Sequence, residues 1–120
     1  MLEVLPGSQG NVVCLRAVGL LTEDDYIEVF VPALIEALQN HSTFRLYADL
    51  SRLLGWDETS SWETGSMLHS NLHKFERAAI VGGPSWAGLA LVLRNSLPSG
   101  AYEFFTDGAQ TTALQWVKAA

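Results

Sequence analysis

Several residues in this chain are of types that can do chemistry. Ser60 and Ser61 stand at the start of a predicted helix, past a predicted strand that ends near Asp49. A hydroxyl in that position can contact an anion or accept a phosphoryl group. Capping explains the same residues more simply, because Ser60 and Glu63 have the spacing of a reciprocal helix N-terminal box. His69 and His73 are four apart, which can bring two imidazoles to one metal. Ser70 stands where a metalloprotease-type helix carries Glu, and His41 is the only other histidine, so a solvated helix face is expected and no metal site. Gly82-Gly83-Pro84-Ser85 joins a predicted strand to a predicted helix. Its amides could hold a phosphate. It lacks the lysine of a phosphate loop and the spacing of a dinucleotide fingerprint, and Pro84 fits simply as a first-turn helix residue. Asp49, Asp57, Glu58 and Glu63 are carboxylates within one stretch, but acid–base work needs a nucleophile or metal in reach. A pair such as Asp49–Arg52, or helix-end charge, accounts for them. No catalytic residue and no cofactor are assigned, and the chain is expected to be non-enzymatic.

The tryptophans point elsewhere. Trp56 falls in a predicted loop, while Trp62 and Trp86 fall at or near predicted helix starts. With Met67, Leu68, Leu89 and Leu93 they can line a cleft between the second and third predicted helices. Ligand pockets are mostly apolar with few polar groups. Any one tryptophan could be a core residue or a helix staple, but three in one region favour a pocket. The expected ligand is a nonpolar small molecule or lipid.

The elements that must position these residues follow from two periodicities. Residues 2–5 form a short strand closed by Pro6-Gly7, and residues 12–18 form a second, stopped by Gly19, so the chain opens on a hairpin with a turn longer than two residues. Thr22 caps a helix whose first turn holds Glu23, Asp24 and Asp25. Tyr26, Ile27, Phe30, Val31, Leu34, Ile35 and Leu38 then recur at helical spacing. Pro32 lies inside that pattern and should kink or split the helix near residues 28–31. Residues 44–50 read as a strand, a helix begins near Ser60, and residues 78–81 form a short buried strand. A third helix follows Pro84, and residues 101–105 make the last strand. The final helix starts at a capping-box pair, Asp107 and Gln110, and turns Ala109, Ala113, Trp116 and Val117 inward. Alternating strands and helices imply parallel pairing with right-handed crossovers. The expectation is an α/β fold: a mixed five-stranded sheet, an antiparallel N-terminal hairpin plus parallel strands, with four helices.

Composition bounds the function. The 120 residues suit a single domain, residues 1–120. A hydrophobic share of 48% with 17% charged residues argues against disorder. A net charge of −6 disfavours nucleic acid and anionic membrane surfaces, which bind through Lys and Arg. Cys14 is the sole cysteine and lies in the apolar run Val12-Val13-Cys14-Leu15, where it reads as a small buried hydrophobe. No basic segment leads into an apolar one at the N-terminus, and the apolar stretch near residues 88–93 ends at Arg94, far short of a membrane span. A cytoplasmic location is expected.

Several runs together resemble one family across nearly the whole chain. They are residues 5–12, LPGSQGNV; residues 21–26, LTEDDY, followed by Val31-Pro32-Ala33-Leu34; and residues 45–50, RLYADL. Further on come Gly55-Trp56, Trp62-Glu63, residues 75–82, FERAAIVG, Trp86, Phe104-Phe105 and residues 113–116, ALQW. Their joint order resembles the SpoIIAA-like STAS domains, built like anti-sigma-factor antagonists. The resemblance implies a mixed sheet with helices mainly on one side, and a carrier role for an apolar ligand. The antagonist branch carries Asp-Ser-x-Gly after the third strand, and a partner kinase phosphorylates its serine. Here that stretch is residues 56–62, WDETSSW, with no Asp-Ser pair and no Gly two residues beyond a Ser. Glu58 and Glu63 would also repel an added phosphate. Ser60 and Ser61 keep a phosphoswitch with a protein partner as the alternative. An exposed aromatic patch could also bury against a second copy in a homodimer.

Overall fold

The computed structural model describes residues 1–57, 74–82 and 101–119. Five strands form one sheet in the order β1-β2-β3-β4-β5. β1 (Leu2–Val4) runs antiparallel to β2 (Val12–Leu21). β3 (Phe44–Trp56), β4 (Phe75–Val81) and β5 (Tyr102–Phe105) continue parallel to β2. This is the mixed sheet with an N-terminal hairpin that the sequence implies. The helices expected after Ser60 and after Pro84 lie outside the described residues.

The hairpin closes through a tight inner turn. Gln9 and Val12 exchange both backbone hydrogen bonds, at 3.1 and 3.0 Å. Gly10 has φ +60°, a conformation that side-chain-bearing residues resist. Thr22 caps α1 (Glu23–Asp25): its hydroxyl accepts from the Asp25 N–H, and the Asp25 carboxylate accepts from the Thr22 N–H. The break expected around Pro32 is a π-helical stretch, Tyr26–Phe30, between α1 and α2 (Val31–Asn40). Val31 donates to the Tyr26 carbonyl, five residues back. Pro32 has no N–H to give Glu28, so the wide turn forms where the ordinary ladder would fail. Tyr26, Phe30 and Leu34 point into the core at helical spacing.

Both faces of the sheet are packed, which explains the near-continuous apolar runs in the parallel strands. Leu15, Ala17, Leu46, Ala48, Ala78 and Ile80 face the first helical segment and bury Phe30 and Leu34. Cys14, Tyr47, Ala79 and Val81 face the other way, against Ala113 and Val117 of α3 (Gln110–Lys118).

Three register irregularities correct the sequence reading. β2 does not stop at Gly19; it passes through that residue at φ +70° and ends at Leu21. β3 does not stop at Leu50; it runs on to Trp56 beside this extension. Gly55 serves a bulge: Gly19 pairs with Leu53 and Leu20 with Gly55, leaving Leu54 as an extra residue. A second irregularity in β3, between Asp49 and Arg52, holds Leu50 and Ser51 opposite Ala17. The third places Glu76 between Phe75 and Arg77 on β4.

The start of α3 also differs. Ala109, not Asp107, is its N-cap. The Gln110 amide donates to Asp107 at 2.8 Å, and its carbonyl oxygen accepts from the Gly108 N–H at 2.8 Å. The expected pair therefore forms, but it ties down the turn before the helix. The other end of α3 is held by arginines from the sheet. Arg45 donates to the Val117 and Ala119 carbonyls, and Arg77 to those of Trp116 and Ala119. These cations satisfy the orphaned carbonyls and oppose the negative end of the helix dipole. Glu76, bulged out of β4, pairs with Arg45 and accepts from Thr43.

Candidate functional site

Of the residues expected to line a ligand cleft, Trp56 lies within the described residues, whereas Trp62, Met67, Leu68, Trp86, Leu89 and Leu93 do not. Ser60, Ser61, His69 and His73 also lie outside them. Trp56 is not in a loop. It ends β3, half-buried against the core cluster that contains Leu21, Tyr26 and Leu53. The reason is the bulge. Strict alternation would send Trp56 to the face opposite Leu53, three residues before it. Gly55, at φ +148°, breaks the alternation and returns Trp56 to the same core. Leu54 is left 82% exposed, and Leu20 beside it is also exposed.

The carboxylates separate. Asp49 does not end its strand; it sits mid-strand, only 8% exposed, level with Arg16 on β2 and Val81 at the end of β4. Its expected pairing with Arg52 is replaced by a local one. Asp49 Oδ1 accepts from the Ser51 hydroxyl at 2.6 Å and from the Ser51 N–H at 3.1 Å. The irregularity in β3 turns Ser51 back to make these bonds. Arg16 instead pairs with Glu3 at 2.8 Å, and the hydrogen bond with that carboxylate raises its pKa further. Asp57 is exposed at the end of β3. Asp49 and Asp57 thus have separate surroundings.

A second feature lies on the opposite face of the sheet. A cavity of about 150 Å³ opens between the sheet and α3. Leu5, Gly7, Cys14 and Tyr47 form its sheet side, and Gln110, Thr111 and Leu114 its helix side. Gly7 creates part of the space: a Cβ there would lie 3.4 Å from Cys14 Sγ and 3.9 Å from the Leu114 side chain. Cys14 is 1% exposed, as its apolar run implied. Burial pushes its thiol pKa up, against the opposing pull of Lys118 and the Ser8 hydroxyl. Tyr47 is 5% exposed. Burial first, then Asp49 and Cys14, pushes its pKa up to about 12, so it stays a neutral hydrogen-bond donor.

Sequence reasoning placed none of these residues at a ligand site. The available signal was the alternation in residues 44–50, which sends Arg45, Tyr47 and Asp49 to one face and Phe44, Leu46 and Ala48 to the other. Trp116, expected in the core, is half-buried at its margin, tilted against Phe105 with Arg77 5.3 Å over its ring.

A hairpin-led, otherwise parallel five-stranded sheet, packed on both faces, defines a small α/β domain of the STAS type. The model of the family described as SpoIIAA-like matches residues 12–118, and the chain belongs to that family. A crystal structure of an uncharacterized protein of the DUF3478 family from Shewanella loihica PV-4, with a SpoIIAA-like fold, is similar throughout. It shares 28% identity at a TM-score of 0.71, over 98% of this chain and 92% of that one. No curated protein matches. Among the described residues, no helix is long and apolar enough to cross a membrane.

Proposed function

We propose that this chain is a non-enzymatic, cytoplasmic binding domain that carries a nonpolar small molecule or lipid against the end of β3. The observation behind this reading is the bulge at Leu54 and Gly55, which turns Trp56 onto the helix-covered face and leaves Leu54 and Leu20 exposed beside it. Bulges commonly re-aim a side chain next to a functional site. An exposed apolar patch flanking an aromatic side chain suits a nonpolar ligand better than a reacting one. In this reading Trp62, Met67, Leu68, Trp86, Leu89 and Leu93 complete the wall.

Tryptophan fluorescence titrated with a fatty acid series tests the proposal. A saturable change that Trp56→Phe diminishes, together with a ligand retained in native mass spectrometry, is the expected result. A linear, unsaturable response with no retained ligand rules it out.

A second reading takes from family membership only a regulatory domain, and adds that it engages a protein partner through residues 57–61, with Ser60 or Ser61 as a phosphoswitch. Here Ser60→Ala and Ser61→Ala would abolish phosphorylation by a partner kinase and change partner binding. Unchanged phosphopeptide maps in both variants would remove this reading. Under either reading a second copy of the chain is a further candidate partner.

A further inference from the structure

We propose that the cavity beneath α3 is a second binding site, separate from the Trp56 region, for a small neutral molecule that is mostly apolar and carries one hydrogen-bond acceptor. Its floor is Cys14 and Tyr47, and its walls are Leu5 and Leu114. The cavity is open to solvent on one side, and its volume of about 150 Å³ is enough to take up benzene. The ligand is therefore of single-ring size.

The polar content of the cavity selects the ligand class. Gln110 is held at the turn, its amide nitrogen donating to Asp107 and its carbonyl oxygen accepting from the Gly108 N–H, with one N–H and one lone pair left over. Cys14 is a weak donor already in contact with Ser8. Thr111 is exposed to water at the rim. Tyr47 differs from these. It is nineteen-twentieths buried, and among the described residues its hydroxyl has no hydrogen-bond partner. Arg16 Nε is the one fully enclosed, unpartnered side-chain nitrogen or oxygen among those residues, so the Tyr47 hydroxyl keeps open surface, and Tyr47 is a wall of the cavity. A hydroxyl in such a position is satisfied by water or by an acceptor on a ligand. The cavity opens to solvent at the Thr111 rim, so water reaches this hydroxyl in the free protein and a ligand must replace it. A ligand carbonyl or ether oxygen would accept from Tyr47 and fill the apolar remainder.

Charge disfavours an anion at that point. Asp49 lies close enough to Tyr47 to help raise its pKa, and a carboxylate ligand would add a second negative charge there. Lys118 Nζ lies 3.6 Å from where a Gly7 Cβ would stand and is felt at Cys14, so it opposes this effect at the Gly7 end of the cavity.

The test uses the intact chain and three probes of one size: acetophenone with an acceptor, ethylbenzene without one, and benzoate with a charge. Binding is read from amide shifts in two-dimensional nitrogen–proton NMR spectra. Acetophenone should shift Cys14, Tyr47, Thr111 and Leu114 saturably and bind more tightly than the other two. Tyr47→Phe should weaken acetophenone roughly 2- to 10-fold and leave ethylbenzene unchanged. Gly7→Ala should weaken both roughly tenfold by filling the space above Cys14. Leu114→Phe should act likewise from the helix side, and the same spectra report whether each variant is folded. No saturable shift at these residues, or shifts that survive both filling substitutions, overturns the site. Tightest binding by benzoate, or no effect of Tyr47→Phe on acetophenone, overturns the ligand class. Shifts confined to Trp56 and its neighbours would support the first site and sink this one.

Discussion

At the scale of single residues, the clearest effects come from side chains that satisfy the backbone. Thr22 and Asp25 bond to each other's N–H groups at the entry to the first helical segment. Thr22→Ala removes one acceptor and should cost about 1 kcal/mol. Urea denaturation checks this through a lower midpoint at unchanged slope. Burial alone would raise the Asp25 pKa, but bonds from the Thr22 N–H and hydroxyl and the nearby N-terminal ammonium outweigh it and lower the value. Gly55 works through its own backbone. Its φ of +148° is strained for any side chain, so Gly55→Ala should disturb the bulge and move Trp56. A shift in the tryptophan emission maximum would report that movement.

At the scale of elements, the π-helical turn and the anchored end of α3 yield predictions of opposite sign. Pro32→Ala gives the segment a donor facing Glu28 and should stiffen it. Hydrogen exchange across residues 28–34 should slow, and unchanged exchange there would show that Pro32 is not what holds the wide turn open. The end of α3 depends on Glu76. Its hydrogen bonds from Arg45, then Thr43, lower its pKa below 4.5. The fold therefore favours the anion, and the stability from this group is complete above that value. It is lost as pH falls through the lower folded-state value. Exchange protection of residues 110–118 should decline in acid over that range. Glu76→Gln should reproduce the loss at neutral pH and flatten its pH dependence. Glu76 is partly exposed, so the effect should be modest and salt-sensitive.

At the scale of the whole molecule, one sheet separates two cores. Leu34 is fully buried in the first, under α2, and Val117 in the second, under α3. Leu34→Ala should cost about 2–5 kcal/mol by transfer and cavity terms. If the chain unfolds as a single unit, thermal melts followed by far- and near-ultraviolet circular dichroism should coincide in this variant. Separate transitions would mean that the two faces unfold independently. Trp56 and Tyr47 lie on opposite sides of the sheet, so ligands at the two proposed sites would not compete.

The fold was legible because its signals are local. Continuous apolar runs marked the parallel strands, Thr22 with three acids marked a helix start, and Pro32 marked the break that became a π turn. Errors fell where a residue's local meaning was reversed by its neighbours in space. Gly19 signals a strand end, yet it sits inside a paired strand, because the register across β2 and β3 needed a bulge beside it. Asp49 looked like a strand end with an arginine partner, and the irregularity in β3 gave it Ser51 instead. The cavity was not legible, because it depends on Leu5, Gly7, Cys14, Tyr47 and α3 meeting across more than 60 residues of chain. Sequence alone determined the five strands and their order, apart from the ends of β2 and β3, and the first and last helical segments, since periodicity and caps act within a few residues. Tertiary structure decided which groups end up paired, which stay open, and where a ligand could fit, because burial and register are properties of strands and helices packed together.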